Sequence, residues 1–187
     1  MLQSFFAWWF KMKGWKVGET IPAEVKKCIV IAAPHTSNWD FVYALGTYKI
    51  LGLPVNYIAK KELFKFPFSI LFKATGGIPV DRSASHNFVD AIVEMFHQKD
   101  HFYLLMAAEG TRKRVTKWKS GFYYAAMGAG VPIMMGYLDY RTKTAGFGYV
   151  LYPTGNKEHD MAKIRQFYAD KTGKNPELFN PDSVRLD

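Results

Sequence analysis

The sequence predicts an α/β layered fold: a central, largely parallel (mixed) sheet flanked by helices, preceded by a short N-terminal amphipathic helix. Two observations predict it. Short apolar runs of strand length alternate with longer stretches of helical period through most of the chain. Polar, chemistry-bearing residues recur just after three of those runs, at 35–40, 77–82 and 109–114. In open α/β sheets ligands collect outside the carboxyl ends of the strands. The 187 residues are enough for one domain with a sizeable core.

Residues 1–17 are expected to form one helix, with Phe5, Phe6, Trp8, Trp9 and Phe10 followed by Lys11, Lys13 and Lys16. Such a segment fits a bilayer interface, rings inserted and lysines against anionic headgroups. It equally fits a helix docked on the body of the protein. Gly14 and Gly18 mark its end, and residues 18–187 form the main domain. Cys28 to Ala33 is β-branched and strand-sized, and Phe41 to Leu51 is a helix stopped by Gly52-Leu53-Pro54. Val55 to Ala59 is the next strand, and Phe66 to Lys73 a short apolar helix or loop. Ile78-Pro79-Val80 reads as an edge or a strand start because of its proline. Asn87 to His97 is a helix with Phe88, Ile92, Met95 and Phe96 on one face. Strands at 102–107, 131–137 and 147–152 and helices at 119–129 and 158–171 complete the pattern. The proline-bearing tail from Gly173 wraps around the body or frays.

A net charge of +9 favours a partner that carries phosphate, whether nucleic acid, an anionic membrane or a phosphorylated small molecule. One cysteine, Cys28, excludes an internal disulfide framework. No run approaches the roughly 20 apolar residues of a spanning helix, and the N-terminus lacks the order of a signal peptide. The expected place is therefore the cytoplasm or a membrane surface. No Walker A loop, Gly-x-Gly-x-x-Gly, Gly-x-Ser-x-Gly or zinc-ligand spacing is present, so no metal site is expected.

His35 and Asp40 carry the clearest chemistry. An imidazole is a natural general base near neutral pH, and a carboxylate on its far nitrogen fixes the tautomer. Five positions apart on a continuous helix point about 140° away from each other. The two meet only if His35 lies in the turn before the helix. Ser37 then caps the helix with Asp40 as the third helical residue, and Ser37-x-x-Asp40 also reads as a capping box. Gly77-Ile78-Pro79-Val80-Asp81-Arg82 offers a guanidinium that grips phosphate, or else a surface Asp81–Arg82 pair. Glu109-Gly110-Thr111-Arg112 combines close backbone approach, a hydroxyl and a guanidinium, with Lys113, Arg114 and Lys117 behind it. With Trp118 as a stacking platform that loop would track nucleic acid. No nucleic-acid-binding signature accompanies it, so a nucleic-acid partner is not expected.

In order, these blocks resemble the glycerolipid acyltransferase family, which includes the lysophosphatidic acid and glycerol-3-phosphate acyltransferases. The family's His-x4-Asp is matched by His35 and Asp40, and its glycine–apolar–arginine block by Gly77 to Arg82. Its Glu-Gly-Thr-Arg is matched by Glu109 to Arg112, and its Val-Pro-Ile by Val131-Pro132-Ile133. Ala108 and Met135 stand where the family often has proline.

The resemblance implies an O-acyltransferase acting directly, with no cofactor. The acyl group would move from acyl-CoA or acyl-carrier protein to a lysophospholipid or glycerol-phosphate-type acceptor in phospholipid biosynthesis. His35 and Asp40 would be catalytic. Arg82, Glu109, Gly110, Thr111 and Arg112 would bind the phosphate or head group, and Lys60, Val131 and Pro132 are auxiliary positions. An anionic membrane surface, met peripherally on its inner, cytoplasmic face, would be the third partner. Two other readings stand beside this one: a same-fold enzyme for another lysolipid such as a lyso-aminolipid, and a non-catalytic anionic-membrane-binding protein.

Overall fold

The computed structural model describes residues 2–80 and 85–187. Helix α1 (Leu2–Met12) comes first and is shorter than expected. Gly14 turns the chain at φ 74°, and Lys16–Val17 is drawn off as strand β1. Next come β2 (Lys27–Ala32), α2 (Trp39–Leu51) and β3 (Val55–Lys60). A 3-10 turn (Lys61–Phe64) and α3 (Phe68–Ala74) lead to β4 (Gly77–Val80). Helix α4 (Ser85–His97), β5 (Phe102–Met106), α5 (Gly121–Ala129) and β6 (Ile133–Asp139) follow. The last elements are β7 (Thr144–Leu151) and α6 (Lys157–Tyr168).

Among the described residues, seven strands form one mixed sheet in the order β1-β7-β6-β2-β5-β3-β4. Only the β6–β7 pair is antiparallel, because Asp139 faces Thr144 across a tight reversal and β7 starts three residues earlier than the sequence suggests. The other pairs are parallel. β4 lies at the edge, where the missing N–H of Pro79 is tolerated. β2 lies at the centre. Its Cys28 to Ile31 run is buried on both faces, as a continuous apolar strand of a parallel sheet should be.

The two faces have separate cores. Ile29, Ile31, Leu104, Ile133 and Met135 meet Ile92 and Phe96 of α4, Phe122 and Ala126 of α5, and Ile164 and Tyr168 of α6. On the other face Cys28, Val30, Val55, Met134 and Phe147 meet Tyr48 and Leu51 of α2. The tail wraps rather than frays. Val184 is buried, and the main chain of Trp118 bonds Arg185 and Asp187 at 2.8 and 2.9 Å.

α1 lies across α2 instead of standing free. Phe10 is buried with Trp15, Leu138 and Ala145, and the ring of Trp9 stacks on Trp39 with centroids 5.9 Å apart. The crossing depends on Gly46. A Cβ there would sit 2.8 Å from both Phe10 Cβ and the Phe6 carbonyl oxygen. Gly46→Ala should therefore destabilise the protein by about 1–3 kcal/mol through overpacking, against the gain of about 1 kcal/mol that alanine brings to an unhindered helix. Urea denaturation measures the sign, and a stabilised variant would show that α1 does not pack there.

Candidate active site

β2, β5 and β6 run parallel, so their carboxyl ends deliver three loops to one edge of the sheet. The loop after β2 carries His35, and α2 begins four residues later. His35 Nδ1 lies 3.0 Å from Asp40 Oδ2. The same oxygen accepts the main-chain N–H groups of Thr36 and Ser37, each at 2.9 Å. The Tyr140 hydroxyl donates to Oδ1 at 2.7 Å. Asp40 is only 5% exposed, so these donors stand in for the water a buried carboxylate would otherwise need. With Nδ1 committed to Asp40, Nε2 is the ring nitrogen that can take a proton.

The start of α2 differs from the expected cap. Asn38, already helical at φ −65° and ψ −24°, holds the capping position, and the helix starts at Trp39, so Asp40 is the second helical residue. The Asn38 side chain does not cap, because its Oδ1 accepts from the Arg112 guanidinium. The Ser37 hydroxyl accepts from the Trp39 N–H at 3.2 Å. Half of the predicted box survives: the acid does reach back to the Ser37 N–H.

The loop after β5 supplies Glu109 to Arg112. Glu109 does not face outward as a head-group ligand. It is 5% exposed, and its Oε2 accepts the His35 N–H at 2.9 Å, tying the second loop to the first. Burial pushes its carboxyl up to about 8; the bond from His35 opposes this and the charge of Asp40 adds to it. Gly110, at φ 70°, makes the turn, and the Thr111 Oγ1 accepts the Lys113 N–H. Arg112 is exposed beside the His35 loop. Lys60 ends β3 on the same edge and is exposed.

Arg82 lies outside the described residues. Val131 and Pro132 are not in the site. They are buried at the start of β6, where the Pro132 carbonyl accepts the Ile29 N–H. From Ile29 to His35 is six residues, roughly 20 Å at the rise of a strand. Trp118 is fully buried and offers no stacking face. Among the described residues no three His, Cys, Asp or Glu side chains gather as a metal cluster.

Sequence reasoning missed two contributors. Tyr140 follows β6 directly, and that placement at a strand's carboxyl end was the available signal. Burial, with the bond to Asp40 and its charge, pushes its hydroxyl well above the ordinary range, so it stays a donor. Asn175, in the tail, bonds the Thr36 carbonyl through Nδ2 at 2.8 Å, and its N–H reaches Thr36 Oγ1 at 3.1 Å.

Residues 16–135 match the family model described as Acyltransferase, a stretch that holds both the His35 loop and the Glu109 loop. The chain belongs to this acyltransferase family. A 1-acyl-sn-glycerol-3-phosphate acyltransferase of Haemophilus influenzae is 31% identical over 134 residues, 67% of this chain and 54% of that protein. The protein of the same description from Salmonella typhimurium is 34% identical over 112 residues, 56% and 44% of the two chains. The chain thus spans about half the length of the curated relatives it matches. The crystal structure of the 1-acyl-sn-glycerophosphate (LPA) acyltransferase PlsC from Thermotoga maritima superposes with a TM-score of 0.57 at 19% identity. The match covers 87% of this chain and 72% of that one, and it establishes the shared fold.

The raised carboxyl of Glu109 makes the stability of this acyltransferase chain depend on pH. Between the ordinary value of 4.5 and about 8 the folded state holds a proton that the unfolded chain has released. Stability from this group is complete below 4.5 and is lost as pH rises through about 8. Glu109→Gln keeps an acceptor for His35 and removes the titration. Its denaturation midpoint relative to wild type should rise from pH 5 to pH 8, and a pH-independent difference would contradict the assignment.

Proposed function

We propose that the chain transfers a fatty acyl group from an acyl thioester to a hydroxyl of a lysophospholipid or glycerol-phosphate-type acceptor, at the cytoplasmic face of a membrane. The observation that carries this reading is the His35–Asp40 pair, set at the carboxyl edge of β2 with Nδ1 engaged. His35 Nε2 takes the proton of the acceptor hydroxyl as its oxygen attacks the thioester carbonyl. Asp40 stabilises the imidazolium that forms. The C–S bond then breaks, the proton passes to the departing thiolate, and the products are an ester and the free thiol of coenzyme A or of the carrier protein. The chemistry needs neither metal nor cofactor.

Arg112, with Gly110 and Thr111, binds the acceptor's phosphate in this reading, which the position of Arg112 beside the loop of the base supports; Arg82 is proposed with them from the sequence block. Glu109 acts by positioning His35. The description of the relatives as 1-acyl-sn-glycerol-3-phosphate acyltransferases supports the choice of acceptor. On α1, Phe5, Trp8 and Met12 are exposed beside the exposed Lys11 and Lys13, which suits contact with an anionic lipid surface.

The test is thiol release from acyl-CoA with a 1-acylglycerol-3-phosphate acceptor. His35→Ala should lower kcat by about 10²–10⁴-fold with the near-UV circular dichroism unchanged. Undiminished turnover in that variant would overturn the mechanism.

A further inference from the structure

The stretch from Lys60 to Lys73 exposes four large apolar side chains within eight positions: Leu63 at 45%, Phe66 at 83%, Phe68 at 63% and Ile70 at 66%. Single exposed apolar residues are ordinary on a soluble protein, but a contiguous group marks a contact surface. The exposure does not come from a loose segment. Phe64 and Phe72 turn inward with ring centroids 5.6 Å apart, and Phe72 lies 6.2 Å from Phe41 of α2. The Tyr57 hydroxyl bonds Thr75 Oγ1 at 2.7 Å, fixing the end of α3 to β3. The segment is thus pinned by one set of aromatic rings while it presents another.

Its charge selects the partner. Lys60, Lys61, Lys65 and Lys73 are all exposed among these residues, against the single acid Glu62. Apolar rings interleaved with lysines match the boundary of an anionic bilayer, where rings enter the acyl region and ammonium groups meet headgroup phosphates. A protein surface would not need four cations around so small an apolar group.

We propose that residues 60–73 form a lipid-docking element, separate from α1, that seats the open edge of the sheet on an anionic membrane surface. Its place in the fold gives the docking a consequence. The element begins at the last residue of β3, whose neighbour β5 delivers Glu109 to the site. It is braced through Phe72 on Phe41, the residue after Asp40. α1 and α3 lie on the α2 side of the sheet, so the outer residues of α1 and those of this element form two points of attachment. A lipid acceptor in that layer meets His35 without leaving the membrane. This consequence rests on the proposed acyl transfer; the docking is measured without turnover.

The experiment is sedimentation of the full chain with sucrose-loaded vesicles of phosphatidylglycerol and phosphatidylcholine. The variants are Phe66→Ser with Phe68→Ser, and Lys61→Glu with Lys65→Glu. These side chains are exposed, so the thermal midpoint should not move. Partitioning should fall at least about tenfold in the first variant and by at least roughly fivefold per reversed lysine in the second. The second variant should also show a weaker dependence on salt. His35→Ala should bind vesicles as wild type does, which separates a failure of the docking from a failure of the chemistry. Undiminished partitioning of both variants would overturn the proposal. So would a wild-type dimer in sedimentation velocity that Phe66→Ser dissociates, because the patch would then belong to a second copy of the chain.

Discussion

The Asp40 carboxylate is the point through which the site and much of the fold are connected. A buried carboxylate is costly unless its oxygens are hydrogen-bonded, and this one has four donors from two parts of the chain. Two are main-chain N–H groups that shape the turn before α2. One is the imidazole of His35. The last is Tyr140, a hundred residues away in sequence, which ties the carboxyl end of β6 to the start of α2. Glu109 adds a tie from β5 by accepting the His35 N–H. The tail adds another through Asn175 and Thr36. Each bond is modest by itself, but a fully satisfied buried network specifies one arrangement.

The same point reaches the N-terminal segment. Tyr140 packs edge-on against Trp15 at 4.9 Å, and Trp15 stacks on Tyr43 of α2 at 4.4 Å. Trp9 of α1 stacks on Trp39, the residue before Asp40. Helix α1 is therefore docked through its inner rings and exposed through its outer ones. Of the two expectations for that helix, docking on the body is what its inner face does. Among the described residues no helix is long and apolar enough to cross a membrane.

Much of this was legible in the sequence because it is local. Runs of strand length, the helix stop at Gly52, and the proline of an edge strand all report on their own neighbourhoods, and the strands and helices form where those signals lie. The His35–Asp40 meeting was legible because the turn joining them is five residues long. The partners that come from afar were not. No periodicity links Tyr140 or Asn175 to Asp40 and Thr36, and nothing local says that Glu109 turns inward to a main-chain N–H. Val131 and Pro132 show a further limit. Motif blocks follow one another along the chain, but parallel strands start at one edge and finish at the other. A block that opens a strand is thus carried away from blocks that close one. The shorter α1 has the same kind of cause, since β1 exists only because β7 is there to pair with it.

The central claim is that the charge of Asp40, and not only its hydrogen-bonding shape, supports proton transfer at His35. Asp40→Asn separates the two. The amide oxygen can replace Oδ2 as acceptor for His35, Thr36 and Ser37, and the Tyr140 hydroxyl can rotate to accept from the amide nitrogen. The turn is kept and the charge is lost. Single-turnover thiol release by this variant is the most direct measurement. The account predicts a rate lower by about a hundredfold or more, with the near-UV circular dichroism of wild type. A rate equal to wild type would contradict it.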